Sequence, residues 1–171
     1  KMKKVLLIAA IAVFGFTGAN AQDVAFGAKL GFNSESFKME AGGVEATGSE
    51  TGFFLGLVAE IGLSESFALQ PEVLYSSVSD LSAIYVPIMA KYYVASGFNV
   101  QAGPQINYIL EEMGDDYSAL GVDLAIGAGY DITDAIFVDA RYGFEITNRY
   151  TGEGDASAKY NSLMVGVGYK F

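Results

Sequence analysis

Three residue types are absent from the 171-residue sequence: cysteine, histidine and tryptophan. Without cysteine there are no disulfides, so hydrogen bonds and packing must hold the fold together. Without histidine, the sequence lacks the side chain best suited to acid–base chemistry near neutral pH, which is also the commonest metal ligand. Nucleophilic catalysis by a histidine paired with serine or aspartate is therefore not expected.

Basic residues are scarce. Lysine and arginine total 10 against 20 aspartate and glutamate residues, for a formal net charge of −10. All 20 acidic residues but only seven basic ones follow residue 21, so that part of the chain carries 7 − 20 = −13 charges. Since proteins bind nucleic acid largely through lysine and arginine contacts to phosphate, we expect no nucleic-acid partner.

No apolar run approaches the roughly 20 residues that a membrane-spanning helix needs. The longest, Val5 to Phe16, follows two lysines and precedes the small-residue segment Thr17 to Ala21. This order is typical of a cleavable secretory signal peptide. We therefore predict a signal peptide at residues 1–21 and a single domain at residues 22–171.

Glycine and aromatic residues are abundant, with 21 Gly, 12 Phe and 11 Tyr. Eight segments alternate apolar residues with polar residues or glycine at the period of two that a β-strand produces. In the last one, Tyr169 and Phe171 end an apolar face. The segments are residues 24–33, 53–63, 67–76, 84–94, 98–110, 120–130, 136–146 and 163–171. The sequence therefore predicts an all-β fold of eight strands.

The connections between these segments alternate in length. Short turns are predicted at residues 64–66, 95–97 and 131–134, and mostly longer polar connections at 34–50, 77–81, 111–119 and 147–158. Short turns at one rim and long loops at the other are typical of a transmembrane barrel. We therefore predict an eight-stranded antiparallel up-and-down transmembrane β-barrel, with both termini on the periplasmic side.

The turn positions also predict the strand register. The expected cross-strand pairs include Leu63–Phe67, Val58–Glu72, Val94–Phe98, Lys91–Gln101 and Phe137–Gly129. Three prolines, Pro71, Pro87 and Pro104, lie inside predicted strands, where each removes a ladder hydrogen bond. Bulges or register shifts are expected at these positions.

The polar faces of the predicted strands carry four cations and five carboxylates. They are Lys29, Lys91, Arg141 and Lys170, with Glu60, Glu72, Asp123, Asp139 and Glu145. Opposite charges in a narrow barrel interior are expected to pair, and Arg141 is placed beside Asp123 and Asp139. Because eight strands enclose a space that side chains just fill, we predict a closed lumen. A gated path for small solutes is the alternative.

Two predicted loops are strongly acidic. Residues 34–50 contain Glu35, Glu40, Glu45 and Glu50 with only Lys38 opposing, and the third loop contains Glu111, Glu112, Asp115 and Asp116. A solvated rim is one interpretation. A calcium site at the second cluster is the other, because carboxylates are hard oxygen ligands that suit Ca²⁺. No cofactor is expected, and the sequence identifies no partner for the loops.

Several motifs carry a family resemblance: FGAKLGFN at 26–33, LQPEVLYS at 69–76, IYVPIMAKYYV at 84–94, GAGYDIT at 127–133, FVDARYGF at 137–144 and VGYKF at 167–171. With them the chain resembles the Bacteroidetes-type outer-membrane β-barrel domain family, often labelled porin family or PorT-like, and is similar in architecture to OmpX and the OmpA barrel. The resemblance implies a Gram-negative outer-membrane location, contact with outer-membrane lipid, and a terminal signal at Val167, Tyr169 and Phe171 that the assembly machinery reads. Outer-membrane barrel enzymes rely on a histidine, so we expect no enzyme.

Three functional hypotheses remain. The first is a membrane-embedded barrel with a structural or surface-interaction role, and the second is a narrow porin-like channel for ions or small solutes. The third is a soluble periplasmic barrel that binds an apolar ligand, which requires the apolar strand faces to point inward.

Overall fold

The computed structural model describes residues 23–152 and 155–171. Eight antiparallel strands form one closed barrel in sequence order, which confirms the predicted fold class. They are β1 (Asp23–Ala41), β2 (Val44–Ser64), β3 (Phe67–Val78), β4 (Leu81–Tyr93), β5 (Phe98–Ile109), β6 (Leu120–Asp131), β7 (Ile136–Glu145) and β8 (Ser157–Lys170). β8 pairs with β1 and closes the barrel. The signal peptide predicted at residues 1–21 lies outside the described residues.

The alternation of side chains determines what faces inward. Large apolar side chains of β1 and of β5 to β8 are exposed on the outer wall, as at Phe32 and Leu124, whereas Lys29 and Arg141 are buried in the interior. The hypothesis of an apolar, ligand-binding interior is therefore wrong. The described part of the chain contains no helix that is long and apolar enough to cross a membrane.

The loop predicted at residues 34–50 is wrong. Residues 34–50 continue β1 and β2 as one long hairpin, with pairs from Ser34↔Thr51 to Ala41↔Val44. The turn consists of Gly42 and Gly43, both at positive φ (59° and 81°), as in the type I′ turns that suit hairpins. The alternation disappears toward the tip because residues 38–40 and 44–47 are exposed on both faces of the hairpin, so the segment has the composition of a loop.

The remaining connections distinguish the two ends of the barrel. The start of β1, the end of β8 and the short connections after β2, β4 and β6 lie at one end, which we call the turn rim. The hairpin tip, a two-residue turn at Ser79 and Asp80, and the described segments 110–119, 146–152 and 155–156 lie at the other end, the loop rim. The longer connection predicted at 77–81 is wrong, because Ser77, Val78 and Leu81 pair as the ends of β3 and β4.

Register was predicted correctly at some strand pairs. Val58 pairs with Glu72, and Lys91 pairs with Gln101. The Leu63–Phe67 pair is wrong, because an irregularity between Gly62 and Ser64 places Ser64 opposite Phe67.

The predicted Phe137–Gly129 pair is also wrong. Phe137 pairs with Asp131, and Gly129 pairs with Asp139. The Thr133 hydroxyl accepts hydrogen bonds from the backbone N–H groups of Ala135 and Ile136 (3.2 and 2.9 Å), which moves the turn toward β7.

The prolines interrupt the ladders without shifting them. Pro71, Pro87 and Pro104 keep their pairs with the following strand. Toward the preceding strand each lies in a gap, and the pairs on both sides of the gap keep one register. The expected bulges at the prolines are therefore wrong. Proline removes only the bond its N–H would donate, whereas a one-residue slip would turn every side chain to the opposite face.

Candidate functional site

The lumen contains three groups of charged and polar side chains that are joined by ion pairs and hydrogen bonds. The turn-rim group comprises Glu60, Lys91, Asp131 and Lys170; the central group comprises Lys29, Glu72, Asp139 and Arg141; the loop-rim group comprises Gln105, Asn107, Asp123, Glu145 and Arg149. All nine charged residues assigned to the lumen from the sequence belong to one of these groups.

The central group spans the barrel. Arg141 on β7 donates from Nη2 to Glu72 Oε1 on β3 (2.5 Å) and to Asp139 Oδ2 (3.0 Å). Lys29 on β1 donates to the same Asp139 oxygen (2.5 Å), and its Nζ lies 3.7 Å from Glu72 Oε2. Two cations thus balance two carboxylates, and all four side chains are almost completely buried.

Glycines on β8 accommodate buried aromatic rings beside this group. Between β1 and β7, the inward positions of β8 are Gly166, opposite Asp139, and Gly168, opposite Lys29. An added Cβ would collide with the Phe54 ring at Gly166 and with the Phe137 ring at Gly168, so both rings need the missing side chains.

The expected neighbours of Arg141 were only half right. Arg141 contacts Asp139, but its second carboxylate is Glu72 and not Asp123. Asp123 accepts hydrogen bonds from Gln105 (2.8 Å) and Asn107 (2.9 Å) on the adjacent strand β5. The long arginine side chain crosses the lumen, which a count of neighbouring strand positions does not capture.

The turn-rim group is organised around one carboxylate and one aromatic ring. Glu60 accepts from Lys91 (2.5 Å) and from Lys170 (2.8 Å), and Lys170 lies 3.5 Å from Asp131. Both ammonium groups also lie near the ring of the buried Phe137, at 5.5 and 5.6 Å from its centroid. Ion pairs and cation–π contacts therefore connect the side chains at this end of the lumen.

Phe137 fits here because it packs over Gly168, where an added Cβ would collide with its ring. We expect Gly168→Ala to lower the free energy of unfolding by about 1–3 kcal/mol through overpacking, and to cost less in a Phe137→Ala background. Urea titration in detergent, followed by heat-modifiable gel mobility, measures both values. Gly114→Ala is the matched control, since its Cβ would meet only Tyr117 at 3.9 Å. An equal cost in both backgrounds would contradict the packing of Phe137 over Gly168.

The loop-rim group contains a cation that the sequence analysis missed. Arg149 follows β7 and donates to Glu145 (2.7 Å), to Asn107 and to the Ala119 carbonyl (3.3 Å). Its guanidinium also lies 5.1 Å from the centre of the Tyr160 ring. Arg149 lies outside the alternating segments, so no periodic signal assigns it to the lumen.

The other predicted sites are at the surface. Glu111 accepts a hydrogen bond from the Ser82 backbone (2.8 Å), while Glu112, Asp115 and Asp116 are exposed. Glu111, Glu112 and Asp115 line a cavity of about 720 Å³. No group of three or more acidic residues that could hold a metal ion is found in the described part of the chain. The calcium site stays a prediction without support from this geometry.

The terminal aromatic residues lie on the outer wall. Val167, Tyr169 and Phe171 are exposed, and the Tyr169 and Phe171 rings lie 6.2 Å apart. The Phe171 N–H donates to the Phe26 carbonyl (2.8 Å), so the final residue is held against β1.

The family model described as "Outer membrane protein beta-barrel domain" matches residues 6–171. None of the curated protein sequences matches the chain.

Solved structures share the fold. Neisserial surface protein A (NspA) is 15% identical with a TM-score of 0.54, over 87% of this chain and 99% of that chain. The outer membrane protein OprG from Pseudomonas aeruginosa is 14% identical (TM-score 0.46; 86% and 95% covered). Ail, the attachment invasion locus protein of Yersinia pestis, is 13% identical (TM-score 0.46; 86% and 99% covered).

Proposed function

Since the chain belongs to the family of outer membrane protein β-barrel domains and is therefore a protein of the outer membrane, we propose that it is a closed barrel with a structural or surface-interaction role. The buried charge network supports the closed lumen. The exposed acidic hairpin and loops at the loop rim support the surface role. The finer assignment to the porin-family or PorT-like branch, the absence of enzymatic activity and an orientation with both termini in the periplasm are part of the same proposal.

One observation carries the closed lumen: ion pairs and hydrogen bonds between charged and polar side chains occupy the interior in three successive groups. A solute that passed through would have to separate Lys29 and Arg141 from Glu72 and Asp139, all of which are buried. Separating a buried pair leaves uncompensated charges, which costs several kcal/mol for each pair. The closed state is therefore the stable state of the barrel.

We expect no steady conductance when the refolded protein is inserted into a planar lipid bilayer. Fluorescently labelled barrels, counted in the same bilayer, show that the protein is present, and heat-modifiable gel mobility shows that it is folded. A steady current that rises in proportion to the number of barrels would contradict the closed lumen and favour a channel.

The narrow channel is the second candidate because polar atoms beside the central group remain free. Among the described residues, both side-chain polar atoms of Gln101 and of Asn99 are buried without a hydrogen-bond partner, as are Nε and Nη1 of Arg141. Gly127 lies between Gln101 and Arg141 in the sheet, so β6 contributes no side chain at this position. A conductance abolished by Asn99→Leu with Gln101→Leu would establish a solute path along β5.

The outer wall and the C-terminus support two further parts of the proposal. The exposed apolar side chains of β1 and of β5 to β8 fit contact with outer-membrane lipid. The exposed Val167, Tyr169 and Phe171 fit a signal read by the assembly machinery during insertion.

A further inference from the structure

One strand of the barrel is longer than its neighbour. β2 begins at Val44, but its first pair with β3 is Phe53↔Ser77. Gly52 still lies against the end of β3, because an added Cβ there would collide with the Ser77 carbonyl oxygen. Residues 44–51, which we call the free edge, pair with β1 on one side, and no described strand pairs with them on the other.

The opposite edge of this extension is covered. β1 continues to pair with β8 as far as Glu40↔Ser157. Beyond β8, the Ala158 carbonyl accepts a hydrogen bond from the Arg149 N–H (3.0 Å), and Tyr150 bridges to Tyr117. Loop segments thus cover the backbone on that side, and the free edge is the side of the extension left open among the described residues.

The free edge has two glutamates but lacks two other features that protect an exposed strand, lysine and proline. Of residues 44–51, all are exposed except Gly48, which is partly covered by Phe37. Natural edge strands use lysine and proline to prevent pairing with another chain. Every second residue of such an edge presents an unpaired backbone N–H and C=O, so the segment is a template for an added strand.

The charge of the extension selects the partner. Glu45 and Glu50 lie on the free edge, and Glu35 and Glu40 lie on the adjacent β1. Lys38 is the single base of residues 34–51 and lies 3.1 Å from Glu45. Glu35 accepts hydrogen bonds from the buried Tyr85 (2.6 Å) and Asn33 (3.0 Å), so its carboxylate is not part of the exposed surface. The exposed charges of the extension are therefore Lys38 against Glu40, Glu45 and Glu50, a net charge of 1 − 3 = −2. Two copies paired edge to edge would bring like charges together, whereas a basic strand would be attracted.

We propose that the free edge binds an extended, basic segment of a partner protein, which adds to β2 as a further strand. Glu45 and Glu50 are five positions apart and lie on opposite faces of β2. A complementary segment therefore carries lysine or arginine residues with the same separation, one facing each glutamate. This inference rests on the surface-interaction role proposed above and names the class of partner.

The test uses the full-length protein refolded in detergent micelles. The probe is an extended peptide of about ten residues that alternates threonine and valine and carries two lysines at the Glu45–Glu50 separation. We expect the peptide to slow hydrogen–deuterium exchange at alternate amides of residues 44–51. Glu45→Gln with Glu50→Gln should weaken its binding by roughly tenfold, from the loss of two cross-strand charge pairs.

Two controls separate strand addition from general attraction of charge. Glu111→Gln with Glu112→Gln removes the same charge from another segment of the loop rim and should leave binding unchanged. A peptide with glutamate in place of both lysines should not protect the free edge. Heat-modifiable gel mobility shows that each variant is folded.

Three results would overturn the proposal. The first is that hydrogen–deuterium exchange at residues 44–51 stays unchanged even with the peptide in large excess. The second is equal weakening by the two double variants, which would leave only bulk electrostatic attraction. The third is protection that rises with protein concentration alone, which would identify a second copy as the occupant. None of these results alters the conductance, so this inference and the closed lumen fail independently.

Discussion

Replacing Arg141 by methionine lowers the free energy of unfolding by about 3–5 kcal/mol, because it leaves Glu72 and Asp139 with only Lys29 to compensate them. Arg141 and Arg149 are the largest fully buried side chains among the described residues, and Arg141 binds both carboxylates through one nitrogen. Methionine keeps most of the volume, so the loss reports the unpaired charge more than a cavity. Urea titration of the refolded protein in detergent measures it.

Two further variants test whether this loss of stability comes from the unpaired carboxylates. Lys38→Met removes a cation from the half-exposed pair with Glu45 and should cost no more than about 1 kcal/mol. Adding Glu72→Gln to Arg141→Met should recover part of the stability, because one stranded charge is then neutral. A cost for Arg141→Met as small as that of Lys38→Met would show that the central group is solvated, and it would remove the main support for a closed lumen.

Replacing Tyr169 and Phe171 by serine should prevent nearly all of the protein from reaching the outer membrane in cells. Both rings lie exposed on the outer wall at the end of β8, where they make few contacts inside the barrel. We expect the assembly machinery to read these aromatic residues before the barrel closes. Fractionation of cells, with heat-modifiable mobility of the membrane fraction, measures the loss.

The matched control is a second exposed aromatic pair at the turn rim. The rings of Phe67 and Tyr92 lie 5.8 Å apart, and their exposure is similar to that of Tyr169. Serine at these two positions should leave assembly in cells largely intact. Both double variants should refold in detergent without the machinery. Normal insertion of the terminal variant, or its failure to refold in detergent, would show that Tyr169 and Phe171 act differently from a signal.

The sequence by itself determined the strands and their faces. A side chain's face depends only on its parity along a strand, so residues as far apart as Lys29 and Arg141 could be assigned to the lumen without knowledge of their contacts. The resemblance of the motifs added the outer-membrane family. Turn length also predicted the register where the turn was regular, as at Lys91↔Gln101.

Only the tertiary structure decided which lumen charges meet. Parity gives the face, but the partner of a long side chain depends on which strands lie within its reach across the barrel. Arg141 on β7 therefore contacts Glu72 on β3, and Lys29 on β1 contacts Asp139 on β7.

Two regions were misassigned from the sequence because their structure depends on hydrogen bonds that periodicity does not reveal. Arg149 enters the lumen from a segment without periodicity, where its position follows from hydrogen bonds to Glu145 and Ala119. The acidic hairpin is extended although it has the composition of a loop, because pairing between β1 and β2 continues beyond the apolar band. Apolar residues alternate along a strand where one of its faces contacts a core or a membrane. A strand that extends beyond both keeps its backbone hydrogen bonds but has no alternation of apolar residues.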